Sequence, residues 1–229
     1  MLKVDNITYR TLELPVPGDL KNGQALEGLK RNYLLVKRGM DLTCSMLAIA
    51  GILSWVLPVI AILIKLDSKG PVFFLQKRVG RGGKVFTCYK FRTMAVNPYA
   101  DERPCVEDDA RITRLGRLLR TTHLDELPQF LNVFLGSMSL VGPRPYMLTD
   151  DQRIAALVRG HHFRNYVKPG ITGLSQVKGY HGGNMDIKTL FSRYQWDTFY
   201  VHNACPAMDF RILSHTTRLF FTQKIRLWR

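Results

Sequence analysis

Residues 42–64 read LTCSMLAIAGILSWVLPVIAILI, roughly 23 positions without a charge. A helix of that length covers the hydrocarbon core of a bilayer. A helix buried in a large soluble core is the alternative, but the rest of a 229-residue chain is too small to surround one. Lys30, Arg31, Lys37 and Arg38 precede the run, and Lys65, Lys69, Lys77, Arg78, Arg81, Lys84, Lys90 and Arg92 follow it. Cationic flanks stay on the cytoplasmic side, and here both flanks are cationic. Pro58 removes a backbone donor and favours a kink. These features predict a helix that enters the membrane, bends near Pro58 and returns, in preference to a straight single pass. Asp41 lies four residues after Lys37 and three after Arg38, so on a helix it can pair with either at the interface.

Working outward from this run, residues 1–30 form a mixed polar N-terminal extension without a secretory signal, 31–66 the membrane-inserted re-entrant helix, and 67–229 a cytosolic domain with interfacial helices. Lys and Arg number 33 against 18 Asp and Glu, a formal charge of +15. Such a surplus calls for an anionic partner: nucleic acid, an acidic membrane surface or a phosphorylated substrate. Cys44, Cys88, Cys105 and Cys205 are widely spaced with no C-x-x-C pair, which argues for reduced thiols rather than a zinc site or a disulfide framework.

In the domain, residues 72–75 and 85–91 read as strands joined by the glycine-rich basic turn at 79–84, an ordinary hairpin turn whose N–H groups could also face a phosphate. Residues 97–109 read as a polar loop. A helix over 111–120 carries Ile112, Leu115, Leu118 and Leu119 on one face and four arginines on the other. Residues 124–130 open a second amphipathic helix. There Asp125 is either an N-cap or part of an acid pair with Glu126, and the two are compatible because a helix N-terminus also favours phosphate. Beside an arginine-bearing helix, that pair could hold a metal and a diphosphate. Two stiff turns, 136–145 and 168–174, present Arg144 and Lys168. An aromatic-rich helix over 190–201 covers the core with Asp197 on its polar side. The chain ends with cations alternating with Leu, Phe and Trp, as interfacial helices do.

In this order, several pieces resemble one family, the monotopic polyprenyl-phosphate hexose-1-phosphate transferases known as bacterial sugar transferases. They are Lys37-Arg38 with Asp41, the Pro58 run, residues 70–74, Lys90-Phe91-Arg92-Thr93-Met94, Arg111-Ile112-Thr113, residues 124–129, residues 138–145, residues 168–173, and Asp197 with Tyr200. Any one piece is weak, and the ordered set is specific. The resemblance implies an α/β fold, mostly α with a small β-hairpin, in which a kinked re-entrant helix and interfacial helices rest on the bacterial inner membrane. It implies Mg²⁺, a UDP-sugar donor and a polyprenyl phosphate acceptor. It puts the catalytic dyad on Asp125 and Glu126, with Asp125 also toward the metal. It puts substrate or phosphate contacts on Lys90, Arg92, Arg120, Arg144, Lys168 and Asp197, and the membrane interface on Lys37, Arg38, Asp41 and Pro58. Tyr180 and His181 stand where the family often has an arginine, which bears on the identity of the donor sugar.

The chemistry this implies is attack by Asp125 on the β-phosphorus of the donor, release of UMP, and transfer of the phospho-sugar to the lipid. The partners expected are the donor, polyprenyl phosphate and membrane lipids, with a homodimer left open and nucleic acid not among them. A membrane-anchored nucleic-acid binder would share the charge and interleaved aromatics, but no helix-turn-helix, zinc-finger or RNA-binding signature is present. A non-catalytic scaffold for glycan assembly would leave the acid pair idle.

Overall fold

The apolar run is helical from end to end in a computed structural model that describes residues 31–97, 109–158, 160–180 and 187–227. Helix α1 spans Arg31–Ala48, a π-helical segment spans Ile49–Leu53, and α2 spans Ser54–Asp67 with Pro58 inside it. Pro58 offers no N–H, so the ladder is broken there. One turn earlier the Ser54 hydroxyl and the Trp55 indole donate to the Ala50 and Gly51 carbonyls, each at 2.7 Å. Side chains thus cover carbonyls where the helix changes pitch. Met46, Leu47, Trp55, Ile62 and Leu66 are exposed along the outward side. This is the one helix among the described residues long and apolar enough to cross a membrane. Its inner side buries Leu53, Ile60 and Ile64 in a cluster with Phe91 and Leu119.

The hairpin expected from the sequence is present. Strand β1, Phe73–Val79, runs antiparallel to β2, Val85–Phe91, in register from Phe73 opposite Phe91 to Val79 opposite Val85. Gly80 N–H donates to the Lys84 carbonyl at 2.8 Å, and Gly82 (φ 65°) and Gly83 (φ 75°) take the left-handed conformations that close the turn. Helix α3 spans Arg114–Thr121, three residues later than the sequence suggested at its start. The reason is local: Asp109 accepts from Arg111 through its backbone N–H and its Nε, making a turn of that stretch. Thr113 caps the helix instead, its hydroxyl accepting from Gly116 N–H at 3.0 Å.

Asp125 is not an N-cap. Leu124–Glu126 is a 3₁₀ turn entered through His123, the one non-glycine positive-φ residue (55°) among those described, and α4 (Gln129–Leu135) begins only after Pro128. The two stiff turns read separately from the sequence belong together. Strand β3, Ser139–Val141, pairs in parallel with β4, Gly170–Thr172. A Cβ on Gly170 would lie 2.1 Å from the Gly142 nitrogen, so the glycines are there for close backbone approach. Helix α5 (Leu148–Leu157), a 3₁₀ stretch (His161–Tyr166), α6 (Leu174–Val177), α7 (Ile187–Asn203) and α8 (Pro206–Leu227) complete the chain. The described residues therefore form a mostly helical fold with two small sheets. The expected loop at 97–109 falls almost wholly outside the described residues, as do residues 1–30 and Cys105. Cys44, Cys88 and Cys205 are free thiols.

Helix α1 is fixed to the domain by polar bonds that differ from the sequence expectation. Lys37 Nζ donates to Asp209 at 2.8 Å, and Tyr33 and Tyr200 donate to the same carboxylate at 2.9 and 2.7 Å. Arg38 donates to the Val133 and Phe134 carbonyls at the end of α4, at 2.7 and 2.8 Å. Asp41 pairs with neither cation; it accepts from Ser139 Oγ at 3.0 Å and Leu140 N–H at 2.9 Å. With α1 laid against the core, each polar group meets a partner across the interface before one along its own helix.

Candidate active site

A cleft of about 470 Å³ opens between the hairpin, the loop after β2, the 3₁₀ turn at 124–126 and the start of α5. It brings together Lys90, Arg92, Arg120, Asp125, Glu126 and Arg144 of the residues singled out from the sequence. Strand β2 delivers Lys90, opposite Phe74 on β1. The 3₁₀ turn delivers the acid pair, and the rigid stretch after β3 delivers Arg144. Six cationic side chains line the cleft against three carboxylates, Asp125, Glu126 and Asp150, so its field favours an anion.

The two members of the acid pair sit in contrasting surroundings. Glu126 Oε1 accepts from Lys90 Nζ at 2.5 Å and from Arg144 Nη2 at 3.3 Å. Burial works against its charge, but Lys90 and Arg144 outweigh burial and hold its carboxyl well below the usual carboxylate range. Asp125 is 9% exposed and takes no hydrogen bond or ion pair among the described residues. Burial pushes its carboxyl up, Lys90 pulls it back, and the charge of Glu126 pushes it up again. One carboxylate is clamped and the other is unengaged.

The other assigned cations divide by partner. Arg120 Nε donates to Thr93 Oγ1 at 2.8 Å at the rim of the cleft. Arg92 lines the cleft, but its guanidinium is turned to the backbone: it donates to the Pro71, Ser68 and Lys69 carbonyls and to Ser68 Oγ, at 2.5 to 2.9 Å. It fastens the end of α2 to the hairpin. Lys168 and Asp197 do not line the cleft. Asp197 is 1% exposed and, far from facing solvent, accepts from Arg164 Nη2 at 2.8 Å, Arg164 Nε at 3.1 Å and Ser175 Oγ at 2.7 Å. Arg164 in turn donates to the Arg144 carbonyl at 2.5 Å and lies 3.6 Å over the Tyr146 ring. Asp197 is therefore connected to the cleft residue Arg144 through Arg164.

Sequence reasoning missed Arg78, His123, Tyr146, Asp150 and Arg193 as cleft residues. Arg78 had been counted only as a basic flank, although its place on an inward-facing strand position is a signal. Burial, and then Arg144, lower its pKa. Arg193 sits four residues before Asp197, one helical turn away, a spacing that puts both on the same side of α7.

Among the described residues no three His, Cys, Asp or Glu side chains converge on a metal site. The unengaged Asp125 carboxylate still suits Mg²⁺, which is commonly held by one or two carboxylates together with substrate phosphates.

Residues 32–223 match the family model described as bacterial sugar transferase. A UDP-glucose:undecaprenyl-phosphate glucose-1-phosphate transferase of Klebsiella pneumoniae is 38% identical over 192 residues, covering 83% of this chain and 41% of that protein. A UDP-N-acetylgalactosamine-undecaprenyl-phosphate N-acetylgalactosaminephosphotransferase of Aeromonas hydrophila is 39% identical over 191 residues, 83% of this chain and 44% of that protein. The exopolysaccharide production protein PSS of Rhizobium leguminosarum bv. phaseoli is 41% identical over 188 residues and is covered over 94% of its length. The chain thus spans less than half of the first two relatives and nearly all of the third. With the match running from the opening turn of α1 into α8, this chain belongs to the bacterial sugar transferase family.

Proposed function

We propose that this protein transfers a sugar-1-phosphate from a UDP-sugar to a polyprenyl (undecaprenyl) phosphate, releasing UMP, through a covalent phospho-sugar on Asp125. The observation that carries this reading is the contrast within the acid pair. Lys90 and Arg144 lock Glu126 at 2.5 and 3.3 Å, while Asp125 beside it is buried in a cationic cleft with no hydrogen-bond or ion-pair partner among the described residues. A nucleophile must be free to form a bond, and its neighbours must be fixed.

An Asp125 oxygen attacks the β-phosphorus, and the bond from that phosphorus to the bridging oxygen breaks, so UMP leaves with the electron pair. An oxygen of the lipid phosphate then attacks the same phosphorus. The aspartyl–phosphorus bond breaks, the carboxylate is restored, and a polyprenyl diphosphate sugar results. The barrier is largely electrostatic, because a carboxylate approaches a diphosphate. Lys90, Arg144 and Arg120 lie where charge accumulates. Glu126 bonds two of those cations and holds them in place. Asp125 and the donor's diphosphate would hold Mg²⁺, which supplies further charge neutralisation when bound.

We place the domain on the cytoplasmic face of the inner membrane, at the first membrane step of exopolysaccharide, capsule or O-antigen-type glycan assembly. Re-entry of the apolar helix is supported by its contacts. Arg38 reaches the end of α4, and Ile64 packs with Phe91 and Leu119. Asn132 beside Val133 accepts from Tyr89 N–H at 2.9 Å, only two residues from Phe91. Both ends of the apolar helix thus contact the same small domain. Cysteines introduced at Lys21 and Lys224 should label from the same side of sealed vesicles; opposite sides would end the re-entrant reading.

The decisive test of chemistry is purified protein given labelled UDP-glucose or UDP-N-acetylgalactosamine without lipid. UMP should appear stoichiometrically, and mass spectrometry should find the phospho-sugar on Asp125. UMP release only when lipid is present, with no protein adduct, would refute the covalent route.

A further inference from the structure

Lys168 is left over from the cleft. It lies just before β4, and its ammonium makes no hydrogen bond or ion pair among the described residues. It is not isolated, however. A Cβ placed on Gly136 would lie 3.5 Å from Lys168 Nζ and 3.4 Å from Arg38 Nη2, so two cations from distant parts of the chain converge on one glycine. Gly136 has φ 87° and no side chain to separate them. Burial, then Arg38, lower the Lys168 pKa, and Arg81 adds to this; Asp41 is the one carboxylate opposing them. That carboxylate is already accepting from Ser139 and Leu140. The Arg38 guanidinium is partly balanced by the carbonyl end of α4. Among the described residues Lys168 has no comparable compensation.

The surroundings identify what is missing. Leu34 and Leu35 stand four and three residues before Arg38, on its face of α1, and are exposed at 37% and 65%. Phe134 and Leu135, directly before Gly136, are exposed at 40% and 67%. A cation pair bordered by exposed apolar side chains at the foot of an apolar helix matches the boundary between acyl chains and phosphate groups. Since neither Arg38 nor Lys168 lines the cleft, a phosphate held here is not the one undergoing transfer.

We propose that Arg38, Gly136 and Lys168 form a docking site for the phosphate headgroup of an anionic membrane phospholipid, separate from the catalytic cleft. The bound lipid supplies the counter-charge for Lys168 while its chains cover Leu35, Phe134 and Leu135. The site rests on the membrane-bound reading of α1 and α2 but not on the identity of the reaction.

The test is native mass spectrometry of the full chain released from detergent micelles doped with equal phosphatidylglycerol and phosphatidylcholine. The wild type should retain phosphatidylglycerol preferentially. Lys168→Gln should weaken that retention about fivefold, and Lys168→Arg should restore it. Equal retention by wild type and Lys168→Gln would overturn the site. So would displacement of the lipid by inorganic phosphate alone, or by polyprenyl phosphate in preference to other lipids. A Lys168→Gln variant whose defect is a raised KM for UDP-sugar in detergent would return this lysine to the donor and also refute the proposal. The UMP-release assay without lipid judges the chemistry separately.

Discussion

Substituting the two adjacent acids should move stability in opposite directions. Asp125→Asn removes a charge that burial already disfavours and that has no hydrogen bond to lose among the described residues. The folded protein should hold its melting temperature or gain slightly. Glu126→Gln removes the shared partner of Lys90 and Arg144, whose side chains are 14% and 26% exposed. Breaking a fully buried pair costs about 3–5 kcal/mol, and partial exposure reduces this to roughly 2–3 kcal/mol. For a domain of this size that corresponds to a fall in Tm of about 4–12 °C. Activity should not follow stability. Asp125→Asn should lose at least ~4 kcal/mol of transition-state stabilisation, a thousandfold in rate, despite its intact fold. Thermal unfolding in one detergent at one scan rate, paired with UMP release, reads both quantities. If Asp125→Asn melts as low as Glu126→Gln, Asp125 is held by structural bonds and the division of labour is wrong. If it retains appreciable turnover, Asp125 is not the nucleophile.

The pH dependence carries a sign for each acid. Glu126, with its carboxyl lowered, contributes stability that is present above its unfolded pKa and lost as pH falls below about 4.3; Glu126→Gln should blunt acid unfolding there. Asp125, with its carboxyl raised, should put the acid limb of kcat/KM above about 3.9, and Glu126→Gln should move that limb down because it removes a neighbouring negative charge. An unmoved limb would show that another group titrates. Gly170→Ala should fail to fold stably, since its Cβ would meet the Gly142 nitrogen at 2.1 Å; normal expression and melting would contradict the parallel pairing of β3 and β4. Asp197→Asn should lower Tm by ~6 °C or more by stranding the buried Arg164, with kcat reduced through Arg144 and the UDP-sugar KM little changed. A pure KM effect would mean that Asp197 contacts donor after all.

The sequence carried the features that depend on local pattern. The uncharged run, the glycine-rich hairpin turn and the adjacent acids Asp125 and Glu126 were legible, because periodicity and turn chemistry act over a few residues. Features that depend on which segments meet were not. Asp41 had two cations within one turn, yet bonds Ser139 and Leu140 across the interface. The resemblance put Arg92 among the phosphate contacts, but just past the end of β2 its guanidinium bonds the backbone of residues 68–71. Asp197 looked solvent-facing because its partner, Arg164, is 33 residues away. The resemblance put Lys168 among the substrate contacts, and the pairing of its turn with β3, which sets where it lies, could not be read from spacing.

The bond between Lys37 and Asp209 spans 172 positions of sequence. Translation proceeds from the N-terminus at roughly 5–20 residues per second, so on the order of ten seconds or more separates the lysine's emergence from that of its counter-ion. Throughout that interval α1 carries a cation, and Tyr33 a hydroxyl, destined for a site that does not yet exist. Final seating of α1 therefore waits until α8 has emerged, and a nascent chain stalled before α8 should remain susceptible to protease around residue 37.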